Sequence, residues 1–315
     1  MGSTGALRAW PIWAVVVPAL VWVPIRLLGL EREYPLVALM AFTPYVAVLA
    51  LFACGIAVAL RNWAAGLLAG LAAVCLLATI VPRTIAGDVA DASGQRTFTV
   101  LSANVHHGTA DPAALIAMVD RLDPDLLSIQ ELTPRYERVL RRAGIYRRLP
   151  EAVLALRGGA SGAGLYSRLP LTRLPERAPF AFRLPRAQVM TPGGGRVRLV
   201  GVHPYPPKEG FIGVWRAALR SLPSGGRGAP WVLAGDFNAT LDQAEFRDVL
   251  DRGYRDAGDV TGKGLLPTWP AGWGFPPYVT IDHVLADPRL GIAEYGVWNI
   301  PGSDHNAVWA VLTLP

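Results

Sequence analysis

Trp231-Val232-Leu233-Ala234-Gly235-Asp236-Phe237-Asn238-Ala239-Thr240 decides how the rest of the chain is read. The apolar run Trp231 to Ala234 predicts a buried strand that stops at Gly235. The next residues set a carboxylate and a carboxamide two positions apart at the strand's end. Period-two alternation points Asp236 and Asn238 to one side and turns Phe237 to the other. Such a pair can hold one water between an acceptor and a mixed donor/acceptor. Gly, Asp and Asn are also common turn residues, so alone the stretch reads equally well as a turn.

The other strands tip the balance. Thr97 to Val105 alternates and predicts a strand ending at Asn104. Asp111 then caps a helix that has Pro112 at its first position and runs to Leu122. Leu126 to Ile129 is a short strand delivering Gln130 and Glu131. Pro134 to Ala143 is a helix with an arginine face, read as solvated. Gly158 to Gly164 is a loop, after which Gly164 to Arg168 resumes a strand. Pro192 to Gly195 is a hairpin turn, and Arg196 to Val202 is a strand ending at His203. Phe211 to Leu222 and Gln243 to Leu250 are helical. Tyr278 to Ala286 is a strand carrying Asp282 and His283, and Ala307 to Leu314 is a strand that follows Gly302-Ser303-Asp304-His305. The pattern recurs: a polar residue stands at a strand's tip. All five histidines, His106, His107, His203, His283 and His305, fall in these short stretches, whereas a solvated surface would scatter them.

Composition divides the chain. Of 315 residues, 52% are hydrophobic and 17% charged, and the apolar excess sits before about residue 82. Trp10 to Leu28, Pro35 to Leu60 and Trp63 to Val81 are each long enough to cross roughly 30 Å of hydrocarbon as a helix. The predicted organisation is a membrane anchor over 1–82, a polar linker over 83–96 and a catalytic domain over 97–315. Gly66 and Gly70 form a G-x-x-x-G that suits close packing within the three-helix bundle. Arginines flank the spans on both sides, so charge does not set orientation. The net charge is +6, with Lys208 and Lys263 the only lysines. That balance is too mild to demand nucleic acid, and no stable nucleic-acid partner is expected. The two cysteines, Cys54 and Cys75, lie in apolar runs, which leaves the soluble part without a disulfide or a cysteine metal site.

The residue types suggest a chemistry. Glu131 and Asn104 are hard oxygen ligands suited to Mg²⁺, with Mn²⁺ as an alternative. Such an ion clamps a phosphate oxygen as charge develops. Asp236 and Asn238 can orient the attacking water. His305 can act as base, or as a cation on the phosphoryl oxygens, if a carboxylate fixes its tautomer. His203 is a second donor to those oxygens.

The ordered set Asn104, Gln130-Glu131, His203, Gly235-Asp236-Phe237-Asn238, Ile281-Asp282-His283 and Ser303-Asp304-His305 resembles the endonuclease/exonuclease/phosphatase superfamily. The resemblance covers Thr97 to Pro315. It implies a four-layer α/β sandwich, two packed β-sheets flanked by helices, with the site at one end. It implies Glu131 as principal metal ligand, Asn104 nearby and Asp304 close to metal. It also implies Asp236 and Asn238 as activators of water, and Asp282 as the partner of His305. DNA-repair members often have Asp two residues after the first Asn; here that place is His106, which weakens a repair-nuclease reading.

Three spans plus this domain also look like actinobacterial membrane proteins linked to teicoplanin-type glycopeptide resistance. That likeness implies a catalytic domain outside the cytoplasm on a multi-pass membrane protein, acting on a lipid-linked diphosphate of cell-wall synthesis. Candidate substrate contacts are Arg168 and, in the uncharged aromatic stretch Pro267 to Tyr278, Trp269, Trp273, Phe275 and Tyr278. Trp and Tyr favour the headgroup level of a bilayer. The rival readings are a membrane-tethered nuclease, a sphingomyelinase-like phospholipase and a non-catalytic phospholipid-binding domain.

Overall fold

The structure is a computed structural model that describes residues 4–176, 182–191, 193–272, 274 and 278–315. Backbone contacts divide the chain into two units, Met1–Pro82 with Leu241–Ala244, and Arg83–Thr240 with Glu245–Pro315. The break at Pro82 coincides with the change in composition.

The first unit is helical: α1 (Thr4–Leu28), α2 (Leu36–Leu39), α3 (Thr43–Ala59) and α4 (Trp63–Ile80). Three stretches, Pro11–Leu28, Leu36–Ala59 and Trp63–Thr84, are long and apolar enough to cross a membrane. Small residues let the helices approach closely. Ala53 and Ala57 of α3 pack with Ala65 and Ala69 of α4. A Cβ on Gly66 would lie 3.2 Å from the Val58 side chain, and one on Gly70 3.4 Å from Cys54 Sγ. The G-x-x-x-G therefore faces α3 within the bundle. Leu49, Phe52, Leu67 and Val74 are exposed, as side chains that meet lipid would be.

The second unit is built on strands β1 (Thr97–Asn104), β2 (Leu126–Gln130), β3 (Glu151–Ala155), β4 (Ala163–Ser167), β5 (Leu171–Leu174), β6 (Arg186–Met190), β7 (Arg196–Val202), β8 (Trp231–Asp236), β9 (Arg255–Asp256), β10 (Asp282–Ala286), β11 (Gly291–Asn299) and β12 (Asn306–Thr313). Between them run α5 (Pro112–Leu122), α6 (Pro134–Arg142), α7 (Ile145–Arg148), α8 (Ile212–Arg220), α9 (Ala244–Asp251) and α10 (Ala257–Val260). Among the described residues the strands form two six-stranded sheets, ordered β11-β12-β1-β2-β4-β3 and β5-β6-β7-β8-β10-β9.

Period-two alternation builds the layers. Phe98 and Val100 of β1 meet Val197 and Leu199 of β7, Val232 and Ala234 of β8, and Val284 of β10 in one core between the sheets. Leu101 and Ala103 point the other way, onto Leu115 and Val119 of α5 and Tyr136 and Leu140 of α6. On the second sheet Phe237 and Phe246 of α9 pack edge to face at 5.3 Å, and Trp215 of α8 donates its indole N–H to the Phe237 carbonyl. Two packed sheets with helices on their outer faces are the expected four-layer α/β sandwich.

Several expectations change. The strand predicted over Tyr278–Ala286 begins only at Asp282; before it, Val279 forms a single bridge with Trp269. The predicted linker is partly docked. Ala86 bridges to Thr261, and Gly87 and Ala90 donate to the carbonyls of Val260 and Ile292. Strands β3, β5 and β6 and most of β11 were not anticipated.

Candidate active site

Register places the polar tips together. β1 and β2 run parallel, pairing Asn104 with Gln130. β7 and β8 run parallel, pairing Val202 with Gly235, while antiparallel β10 starts with Asp282 opposite Asp236. β12 runs antiparallel to β1, so the Asp304-His305 turn before it lies at the same end. Asn104, His203, Asp236 and Asp282 follow the alternation of the inter-sheet core and emerge between the sheets. Gly235 permits the close pairing: a Cβ there would sit 1.9 Å from the Val202 carbonyl oxygen.

Asp236 is the focus. Its Oδ1 accepts from the Asn238 backbone N–H at 2.7 Å. Its Oδ2 accepts from the side-chain amides of Asn104 at 3.2 Å and Asn238 at 3.4 Å. His203 Nε2 lies 3.6 Å and His305 Nε2 3.7 Å from the same oxygen, beyond a hydrogen bond. Asn238 reaches this position from a left-handed backbone, φ 48°, and not by continuing the strand. The amide also donates to the Pro204 carbonyl.

His305 is oriented by Asp282, Nδ1 to Oδ2 at 2.9 Å. Burial opposes its charge, but the Asp282 and Asp236 carboxylates outweigh that and raise its pKa to about 10. The two carboxylates favour the charged ring, the cation of the two roles. His203 goes the other way: burial lowers its pKa to about 4 despite the pull of Glu131. Burial raises the pKa of Asp236, opposed by His305 and aided by Asp282, so this carboxylate is a better proton acceptor than a surface one. Asp282 is held by Thr268, whose buried hydroxyl oxygen accepts from the backbone N–H groups of Ile281 and Asp282.

Glu131 lies across this cleft, 8% exposed, turned in by a left-handed φ of 59°. Its Oε1 accepts from Asn104 at 3.3 Å and stands 3.8 Å from His203 Nε2. Asp304 Oδ2 accepts from the Trp269 indole at 3.3 Å, and its Oδ1 pairs with His106 Nδ1 at 2.6 Å. Glu131, Asp236, Asp282 and Asp304 thus gather around one imidazolium. That surplus of carboxylate fits a divalent cation, with Glu131, Asn104 and Asp304 as the residues that would hold it.

The aromatic candidates fare differently. Trp269 is at the site through Asp304, and Tyr278 follows in the same loop. Trp273 and Phe275 lie outside the described residues. Arg168 does not join the cluster. It ends β4, which runs antiparallel to β2, so it stands at the opposite end of the sheet, paired with Asp123 and Asp125. The sequence reading missed three features. His106 and His107 reach Asp304 and Glu131. Phe182 packs edge to face on His203 at 5.0 Å and on Tyr205 at 4.8 Å, and Tyr205 stacks on Phe211 at 4.2 Å. His283 forms a second buried pair, with Asp256 at 2.8 Å. The clustering of every histidine at strand tips was the available signal for the first and third.

Comparison with known proteins agrees with this geometry. Over similar spans the chain resembles a humanized D. rerio TDP2 (TM-score 0.55, 18% identity, 69% of this chain and 99% of that one). It also resembles an endonuclease/exonuclease/phosphatase from Beutenbergia cavernae DSM 12333 (0.50, 21%, 70% and 72%) and a family protein from Bacteroides thetaiotaomicron (0.51, 16%, 70% and 99%). At these identities the likeness speaks for the fold. No curated protein matches the chain. The sequence profile of the Endonuclease/Exonuclease/phosphatase family matches residues 101–305, from β1 to His305, and the chain belongs to that family.

Proposed function

We propose that this chain is a membrane-anchored, divalent-metal-dependent hydrolase of a lipid-linked phosphate or diphosphate. The observation that carries hydrolysis is the convergence on Asp236 Oδ2 of two imidazole nitrogens, at 3.6 and 3.7 Å, and two carboxamides. Asp236 takes a proton from a water held by the Asn238 amide, and the water oxygen attacks phosphorus. His203 lines the phosphoryl position with its Nε2, 3.6 Å from Asp236 Oδ2, and burial favours its neutral form. The His305 imidazolium faces the growing charge and gives its Nε2 proton to the departing oxygen as the P–O bond breaks. Asp282 keeps that ring aligned. A divalent ion, Mg²⁺ or Mn²⁺ in the first expectation, would neutralise phosphoryl charge when bound beside Glu131.

Two features favour a lipid over a soluble substrate. Phe182, Tyr205 and Phe211 form an aromatic row leading away from His203, with Phe211 39% exposed. Attachment to three membrane-length helices raises the local concentration of a membrane substrate. The reading of a cell-wall diphosphate outside the cytoplasm rests on the architectural resemblance to teicoplanin-type resistance proteins drawn from the sequence alone. The test is a panel of isoprenoid diphosphate, sphingomyelin and single-stranded DNA with the purified full-length protein. Isoprenoid diphosphate is the expected substrate; turnover of DNA alone would reverse the reading, since one TDP2 relative is a complex with single-strand DNA product. The exposed Ser224, changed to cysteine, should label with an impermeant thiol reagent in intact cells; labelling only after lysis would put the domain in the cytoplasm.

A further inference from the structure

We propose that His106 and His107 add imidazole ligands to the carboxylate position at Glu131 and Asp304, so that this centre prefers a borderline transition-metal ion, of the Co²⁺ or Zn²⁺ class, over Mg²⁺. The proposal rests on the metal assignment above and concerns what selects the ion. Both histidines follow the tip of β1 in the left-handed backbone region, φ 44° and 54°, which costs energy for any residue with a Cβ. Two such residues in succession, facing a third at Glu131, persist only where the surroundings enforce them. The turn is closed by Gly108, where a Cβ would lie 2.8 Å from Thr133 Oγ1 and from Tyr136 Cβ.

The strained turn brings both rings onto carboxylates. His106 Nδ1 is 2.6 Å from Asp304 Oδ1, and His107 Nδ1 is 3.1 Å from Glu131 Oε2. Glu131 Oε2 also accepts from the His107 backbone N–H at 2.7 Å. Imidazole and carboxylate groups drawn together at one point suit ligands of one ion. Ligand atoms of His106, His107 and Glu131 all lie within 4.8 Å of one another. Oxygen-only sites suit Mg²⁺, which gives up water reluctantly. Adding two imidazoles moves the preference along the series toward the later divalent ions.

The test uses full-length protein in detergent, stripped by a chelator, loaded with Mn²⁺ as a probe and titrated with Co²⁺, Zn²⁺ and Mg²⁺ in competition. Free Mn²⁺ is read by electron paramagnetic resonance, and Co²⁺ by its visible absorption. Wild type should bind Co²⁺ and Zn²⁺ at least about 100-fold more tightly than Mg²⁺, as nitrogen ligation predicts. His106→Asp with His107→Asn, whose side chains tolerate the left-handed turn, should bring that ratio to within about tenfold and weaken the Co²⁺ absorption. A melting curve matching wild type shows that the variant folds. If the double variant keeps the wild-type ratio and spectrum, or wild type does not discriminate, imidazole ligation is wrong while the Glu131 assignment stands. If wild type and Glu131→Gln both bind no ion, the metal reading itself fails.

Discussion

Two neighbouring residues on β10 head two histidine–carboxylate pairs, and the pairs do different things. Asp282 faces between the sheets and holds His305 at 2.9 Å. His283 faces the outer side, beneath Phe237 and Phe246, and holds Asp256 at 2.8 Å. The difference lies at the far nitrogen. His305 Nε2 stops 3.7 Å short of Asp236, leaving a donor for a substrate atom. His283 Nε2 is 2.9 Å from the Ala239 carbonyl. Both partners of His283 are acceptors, so both ring nitrogens must carry protons. Burial opposes that charge, and the Asp256 carboxylate more than offsets it, raising the pKa. An unsatisfied nitrogen marks the reactive pair, and a satisfied one marks the brace that fixes the chain just beyond Asn238.

The contrast can be broken at either pair. His305→Ala should lower kcat by on the order of 10²–10⁴, with Asp282→Asn costing a similar amount and the double variant little more than the worse single one. Losses that multiply would separate the two residues. His283→Leu should act on stability instead, by about 3–5 kcal/mol in denaturant melts, because it strands the buried Asp256 charge. Its activity per folded molecule should fall far less than that of His305→Ala; an equal fall would make the outer pair catalytic. Thr268→Val removes the acceptor for two backbone N–H groups and should cost about 1–3 kcal/mol, the smallest of the three.

Proton linkage sharpens the same comparison within the site. His305, raised to about 10 from 6.5, contributes stability that is complete below pH 6.5 and is lost as pH climbs through 10. His203, lowered to about 4, contributes stability present above pH 6.5 and lost as pH falls through 4. Metal-free melting temperatures should decline at both ends, and His305→Gln should flatten the alkaline limb alone.

How much of this was legible follows from strand chemistry. The tips at Asn104, Glu131, His203, Asp236 and Asp282 were readable because apolar runs end abruptly in polar residues. Arg168 misled because a strand's end marks the site only if the strand runs toward it, and β4 runs away. β5 and β6 were missed as a short outer pair with mixed patterning, Leu171-Thr172-Arg173-Leu174 against Arg186 to Met190. β11 hid behind two glycines and a register shift between Ile292 and Glu294. The tertiary pairings of His106, His107 and His283 have no local signature beyond residue type, since each depends on carboxylates 24 or more positions away.

The central claim is that Glu131 anchors a divalent ion needed for phosphate ester hydrolysis. The direct measurement is hydrolysis of bis(p-nitrophenyl) phosphate by the full-length protein before and after chelation, beside Glu131→Gln. Wild-type turnover should vanish on chelation and return with added divalent ion. The variant should melt like wild type and stay inactive at any metal concentration. Chelator-resistant turnover, or wild-type rates in Glu131→Gln, would contradict the account.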